Sequence, residues 1–191
     1  MLFNLISKIL KFKTMKILPP INLKKWVDEN RHLLKPPVGN QVVYKDTEFI
    51  IMVVGGPNCR KDYHFNEGEE FFYQLEGDMN LPIIEDGVFR NIEIKEGEIF
   101  MLPPRVAHSP QRKANTVGLV VERMRDQTEL DACMWFCESC HNKLYEASFH
   151  LDDIVGQLPK LMQQFYDDAS LRTCKKCGSV MEVPTLEKTN A

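Results

Sequence analysis

The sequence predicts a mainly β chain: an antiparallel sandwich or barrel, then a small helical C-terminal segment holding a tetrathiolate metal site. Three observations carry that expectation. Short apolar runs separated by turn residues fill the stretch from Gln41 to Met124, as in folds built from many short antiparallel strands. Beyond Arg125, apolar residues recur at three- and four-residue steps, which is the helical period. Two Cys-x-x-Cys pairs, Cys137/Cys140 and Cys174/Cys177, stand in that second part, a spacing that suits two turns around one tetrahedral ion.

Residues 1–17 read as an N-terminal extension. Met1 to Lys16 carry four lysines and no acid, with Leu2, Phe3, Ile6, Ile9 and Leu10 between them. A weak amphipathic helix, a targeting segment and a stretch upstream of a start at Met15 all fit. The absence of a small-residue cleavage site after a long apolar core argues against secretion. Asn22 to Leu34 predicts a helix, with Leu23, Trp26, Val27 and Leu34 at roughly helical spacing and Pro36-Pro37 ending it. Phe49 to Val54 predicts a buried strand stopped by Gly55-Gly56, and Phe71 to Leu75 a second. Glu85-Asp86-Gly87 predicts a hairpin turn, because Asp-Gly tolerates positive φ. Ile92 and Ile94 alternate with Glu93 and Lys95 beyond it, and Glu98 to Leu102 and Thr116 to Val121 complete the strands. Leu151, Ile154, Val155, Leu158, Leu161, Met162 and Phe165 mark a helix that Pro159 is expected to kink or divide. The expected organisation is an extension over 1–17, a β domain over 18–130 and a helical segment over 131–191.

Composition bounds the function. The chain has 191 residues, 43% hydrophobic and 27% charged, which fits one globular domain with a small appendage. A net charge of -3 gives no basic footprint for nucleic acid, and no apolar run approaches the roughly 20 residues of a membrane span. In a cytosolic setting, paired cysteines of this spacing bind metal more often than they form disulfides; a cytoplasmic location is expected. Cys59 and Cys133 are left as spare thiols.

The chemistry concentrates in two stretches, Arg60 to Glu70 and Pro103 to Arg112. They offer His64, His108 and a carboxylate. Two imidazoles and one carboxylate on one face of a metal leave its other positions open, as in mononuclear non-haem Fe(II) oxygenases. Glu70 is chosen over Glu69 because it alone keeps a six-residue gap to Gly77, and neighbouring strand residues face opposite ways, so that Glu69 points out if Glu70 points in. Arg60 lies four residues before His64 and Arg112 four after His108. An even separation returns a strand residue to the same face, so both arginines can reach an anionic substrate; for either one alone, a surface position or an internal salt bridge is the alternative. Glu122 follows the apolar run Leu119-Val120-Val121, which leaves open an inward carboxylate or a solvated acid at a strand end.

Gly56-x5-Asp62-Tyr-His64-x5-Glu70-x6-Gly77 resembles the first motif of the cupin superfamily, and Gly97-x5-Pro103-x4-His108 the second. The resemblance implies a jelly-roll barrel with metal ligands inside. Asp62 stands where the first motif usually has a histidine, and Arg112 where the second usually ends in asparagine, so a three-ligand site is expected. The order Asn40, Arg60, His64, Glu70, His108, Arg112 and Glu122, then two Cys-x-x-Cys pairs, resembles the 3-hydroxyanthranilate 3,4-dioxygenase family, in the form with a C-terminal rubredoxin-like site. That resemblance implies an Fe(II) enzyme that opens the ring of 3-hydroxyanthranilate with O2. The product, 2-amino-3-carboxymuconate semialdehyde, cyclises to quinolinate on the kynurenine route from tryptophan to NAD. It also implies site roles. Arg60 and Arg112 would hold the substrate carboxylate, with Arg60 also beside O2 and Asn40 on a loop over the site. Glu70 would be both metal ligand and substrate neighbour, and Glu122 would take the hydroxyl proton. Fe or Zn would sit among the four cysteines, in a structural role, and the family forms homodimers. The alternatives are a cupin dioxygenase or isomerase for another small carboxylated substrate, and a non-enzymatic binding module.

Overall fold

In the computed structural model, which describes residues 17–36, 39–45 and 47–185, the apolar runs become strands of two antiparallel sheets. One sheet sets β1 (Asn40–Val42), β2 (Phe49–Gly55), β10 (Val117–Arg123), β4 (Glu70–Glu76) and β7 (Ile99–Leu102) side by side. The other runs β12 (Lys143–Phe149), β11 (Asp131–Phe136), β3 (Tyr63–Phe65), β8 (Ala107–His108), β5 (Met79–Glu85) and β6 (Val88–Ile94), with β9 (Gln111–Arg112) paired to β5. The expectation for the N-terminal extension falls outside the described residues, apart from Ile17.

Alternation decides which residues meet between the sheets. Met52, Phe72 and Val120 from the first sheet share a core with Met79, Leu81, Ile83 and Trp135 from the second. Helix α1 (Leu23–Asn30) lies on the outside of the first sheet, where its Val27 packs with Val53. Asn22 caps it, its side chain accepting from Lys25 N at 3.0 Å. The hairpin between β5 and β6 turns on Asp86 (φ 50°) and Gly87 (φ 77°), the positive-φ pair that Asp-Gly allows.

The chain after Arg125 departs from the helical expectation. It first adds β11 and β12, and β11 pairs with β3, so the barrel sheet continues past residue 130. The Asp131–Phe136 run is short and apolar, and periodicity alone cannot tell a buried strand of that length from helix; pairing with β3 decides it. Helix begins at α2 (Ile154–Asp167), capped by the Asp153 side chain on Val155 N at 3.1 Å, and resumes at α3 (Ala169–Arg172). Pro159 lies inside α2 and does not divide it. Phe165 of α2 stacks on Trp135 at 4.3 Å between ring centroids, which fixes the helix to the barrel.

Candidate active site

The barrel interior brings both predicted stretches together. His64 on β3 and His108 on β8 are directly paired across the second sheet. Glu70 opens β4 on the first sheet, opposite Glu122 on β10. The buried positions run 62, 64, 66, 68 and 70, whereas Glu69 is exposed. Glu70 therefore projects inward between the sheets, with Oε1 3.2 Å from His108 Nε2 and 3.6 Å from His64 Nδ1.

Acceptors behind each imidazole set its tautomer. His108 Nδ1 donates to the Val106 carbonyl at 2.9 Å, turning Nε2 toward Glu70. His64 Nε2 donates to Asp131 at 2.7 Å, turning Nδ1 the same way. Donor atoms sharing one metal ion at bonds of roughly 2.1 Å lie about 3 Å apart, so the 3.2 and 3.6 Å separations here fit three residues that would hold a single metal. Burial disfavours charge on His64, but its hydrogen bonds to Asp131 and Glu70 raise it to about 9 in the metal-free chain. Burial raises Glu70, and the two histidines outweigh that to hold it well below the usual carboxylate range.

Glu122 points inward. Burial, and then the Glu70 charge, push it up to about 7 against the pull of Arg125. Arg125 Nη2 lies 2.6 Å from Glu122, while its Nε and Nη2 donate to Asp131 at 2.7 and 2.8 Å. Asn66 donates to Glu70 at 2.9 Å. His64, Asp131, Arg125 and Glu122 thus form one continuous ionic chain.

The two predicted arginines differ. Arg112 is 3% exposed; its Nη1 donates to Gln74 at 2.9 Å, and its Nε has no partner among the described residues. With no carboxylate beside it among the described residues, burial pushes it down to about 10. Arg60 instead donates to both oxygens of Asp62, at 3.1 and 2.5 Å. Asn40 begins β1 rather than sitting on a free loop, and borders the same cavity.

That cavity holds about 60 Å³ and is walled on its apolar side by Met52, Phe72, Val120, Ile154 and Leu158. It shares Asn40, Asn58, Arg60, Ile154 and Leu158 with an outer cleft of about 400 Å³ against α2. Asn66, Gln74, Arg125 and Asp131 complete the surroundings and were not foreseen from sequence; Asp62 and the helix α2 were, but not as parts of the site. One signal was available. Gly118 lies inside β10, where an added Cβ would come 2.6 Å from Arg112 Nη1, and a strand-interior glycine often marks such a close approach.

The four cysteines form a second cluster. Cys137 N donates to Asn142 O at 2.8 Å and His141 N to Cys137 O at 2.9 Å. Cys174 N donates to Ser179 O at 2.8 Å and Gly178 N to Cys174 O at 2.9 Å. The two knuckles repeat one geometry, with His141 (φ 57°) and Gly178 (φ 77°) at matching positions. The Cys137–Cys177 and Cys140–Cys174 sulphurs lie 3.5 and 3.6 Å apart, close to the edge of about 3.8 Å for a tetrahedron with bonds of 2.3 Å. Burial raises the Cys59 and Cys133 thiols, so neither is an activated thiolate.

The model of the 3-hydroxyanthranilic acid dioxygenase family matches residues 15–166. A protein from Xanthomonas oryzae pv. oryzae named 3-hydroxyanthranilate 3,4-dioxygenase is 54% identical over 168 residues, covering 88% of this chain and 95% of that one. One of the same name from Neurospora crassa is 49% identical over 159 residues, covering 83% and 88%. Among solved structures, a cupin-2 domain containing protein from Shewanella frigidimarina is similar over 55% of this chain and 94% of its own, with TM-score 0.43 and 18% identity. By the extent of the family match and the identity to these relatives, the chain belongs to the 3-hydroxyanthranilic acid dioxygenase family.

Proposed function

We propose that this chain opens the aromatic ring of 3-hydroxyanthranilate with O2, giving 2-amino-3-carboxymuconate semialdehyde. The observation that carries the reading is Arg112: a buried guanidinium with no carboxylate partner among the described residues, bordering the same cavity as His64, Glu70 and His108. A buried cation needs an anion, and the substrate carboxylate supplies it. His64, Glu70 and His108 would hold the metal, taken to be Fe(II). When bound, Fe(II) provides the electronic coupling between ring and O2 that spin otherwise blocks.

The chain's own residues do the rest. Arg112 anchors the carboxylate bidentately, and Arg60 donates to it from the mouth of the cavity. Phe72, Val120, Ile154 and Leu158 wall the ring and exclude water. Glu122 accepts the ring hydroxyl proton; its burial, which raises it above an ordinary carboxylate in the metal-free chain, favours its taking a proton. Charge supports the assignment. Asp62, Glu70, Glu122 and Asp131 face Arg60, Arg112 and Arg125, an excess of one negative charge when all are ionised. A divalent cation with one substrate carboxylate makes the site neutral, and proton transfer from substrate to Glu122 leaves that balance unchanged.

Fe or Zn among the four cysteines would be structural, joining the β11–β12 turn to the segment after α3. Among the described residues no helix is long and apolar enough to cross a membrane. A cytoplasmic homodimer remains part of the proposal. A panel of aminophenols and catechols, with and without a carboxyl group, tests the function. O2 uptake should require the carboxylated aminophenol, and equal turnover without the carboxyl group would refute the role of Arg112.

A further inference from the structure

Asp62 is fully buried, yet it stands outside the cluster of His64, Glu70 and His108. Its Oδ1 accepts from Arg60 Nε at 3.1 Å and its Oδ2 from Arg60 Nη2 at 2.5 Å. This side-on pair uses one edge of the guanidinium and leaves Nη1 and the second Nη2 hydrogen for other acceptors. Arg60 borders both the buried cavity and the outer cleft against α2, so it stands where substrate enters.

Asp62 is itself held in place. Cys133 lies against it, its thiol raised by burial and by the Asp62 charge. The Lys61 N–H between the paired residues donates to the Tyr166 hydroxyl of α2 at 3.2 Å, which ties the backbone to the helix. A long arginine side chain loses much rotamer freedom when a ligand fixes it, and a partner that fixes it beforehand removes that loss from binding.

We infer that Asp62 is a positioning residue: it holds Arg60 in the orientation that receives the substrate carboxylate, and so helps set the preference for carboxylated over decarboxylated aminophenols. The inference rests on the carboxylate-binding reading above. The two arginines then divide the work. Arg112 brings the uncompensated charge, and Arg60, already neutralised, brings directed hydrogen bonds.

The test is anaerobic equilibrium binding of 3-hydroxyanthranilate and of 2-aminophenol to the full-length Fe(II) protein. Wild type is compared with Asp62→Ala, Arg60→Ala and the double variant. Wild type should prefer the carboxylated ligand. Asp62→Ala should reduce that preference on the order of tenfold, the scale of a charged hydrogen bond, and leave 2-aminophenol affinity and metal content unchanged. In the Arg60→Ala background, Asp62→Ala should change nothing further, since it acts through Arg60. Equal loss for both ligands, or full additivity with Arg60→Ala, overturns the inference. Should Asp62→Ala fail to fold, Asp62→Asn keeps the shape and should show a smaller loss of preference. A preference that rises in Asp62→Asn would mean that Asp62 competes with substrate for Arg60, also against the inference. No preference in wild type defeats the functional reading itself; a wild-type preference unchanged in Asp62→Ala defeats only the role of Asp62.

Discussion

Asp131 accepts a 2.7 Å hydrogen bond from His64 Nε2, and that contact decides which ring nitrogen His64 offers to the cavity. Asp131 is fully buried, and Arg125 binds both of its oxygens. The carboxylate behind an imidazole ligand fixes its tautomer and raises its basicity. Asp131→Ala should therefore weaken metal binding in the barrel by roughly 10–100-fold while leaving the four-cysteine site loaded. Metal analysis after graded chelation separates the two sites, and unchanged retention in the barrel would remove Asp131 from this role.

The buried charge of Arg112 comes at a cost to the free protein. Its folded value, about 10, lies below the ordinary 12.5 because burial penalises the charge. The charged form is therefore less favourable folded than unfolded, and the penalty is fully present at neutral pH. Arg112→Met keeps the bulk and removes the charge. Metal-free Arg112→Met should be more stable than wild type by as much as about a few kcal/mol, and so melt higher, even though Gln74 loses a donor. Saturating 3-hydroxyanthranilate should then stabilise the wild type and not the variant. A lower melting temperature would show that Arg112 is structurally required.

Gly118 gives a second route to the same pocket. A methyl group there would come 2.6 Å from Arg112 Nη1 and 2.9 Å from Gln74 Oε1. Gly118→Ala should push the guanidinium aside, raising KM about tenfold or more, the scale of a charged hydrogen bond, with barrel metal intact. Unchanged KM would mean that Arg112 can shift without losing its hold on the carboxylate.

Glu122 sets a pH dependence in the metal-free chain. Its folded value, about 7, is above the ordinary 4.5. Below pH 4.5 both states are protonated and nothing is lost. Between 4.5 and 7 the unfolded chain ionises first, so stability falls as pH rises, and the loss levels off above the folded value. Glu122→Gln stays neutral throughout and should lack this component. Denaturant titrations of the two metal-free proteins should diverge from pH 4.5 to 7, and parallel curves would contradict the buried, raised carboxylate.

The sequence disclosed the parts of this site that obey local rules. The Asp86-Gly87 turn announced the β5–β6 hairpin through its φ requirement, and strand alternation separated buried Glu70 from exposed Glu69. What it concealed depends on long-range pairing. Asp131 reaches His64 only because β11 hydrogen-bonds to β3, a contact between residues some 67 apart in the chain. Its short apolar run resembles helix and strand equally. The unequal roles of Arg60 and Arg112 were also invisible, since spacing places both near the metal but says nothing about which already has a carboxylate partner.

The central claim is tested most directly by O2 uptake, measured with full-length protein loaded with Fe(II), 3-hydroxyanthranilate as substrate and no added reductant. O2 and substrate should disappear in equal amounts as 2-amino-3-carboxymuconate semialdehyde forms, because both oxygen atoms enter the ring-opened product. No uptake by fully loaded protein, or uptake that requires an external reductant, would contradict the account.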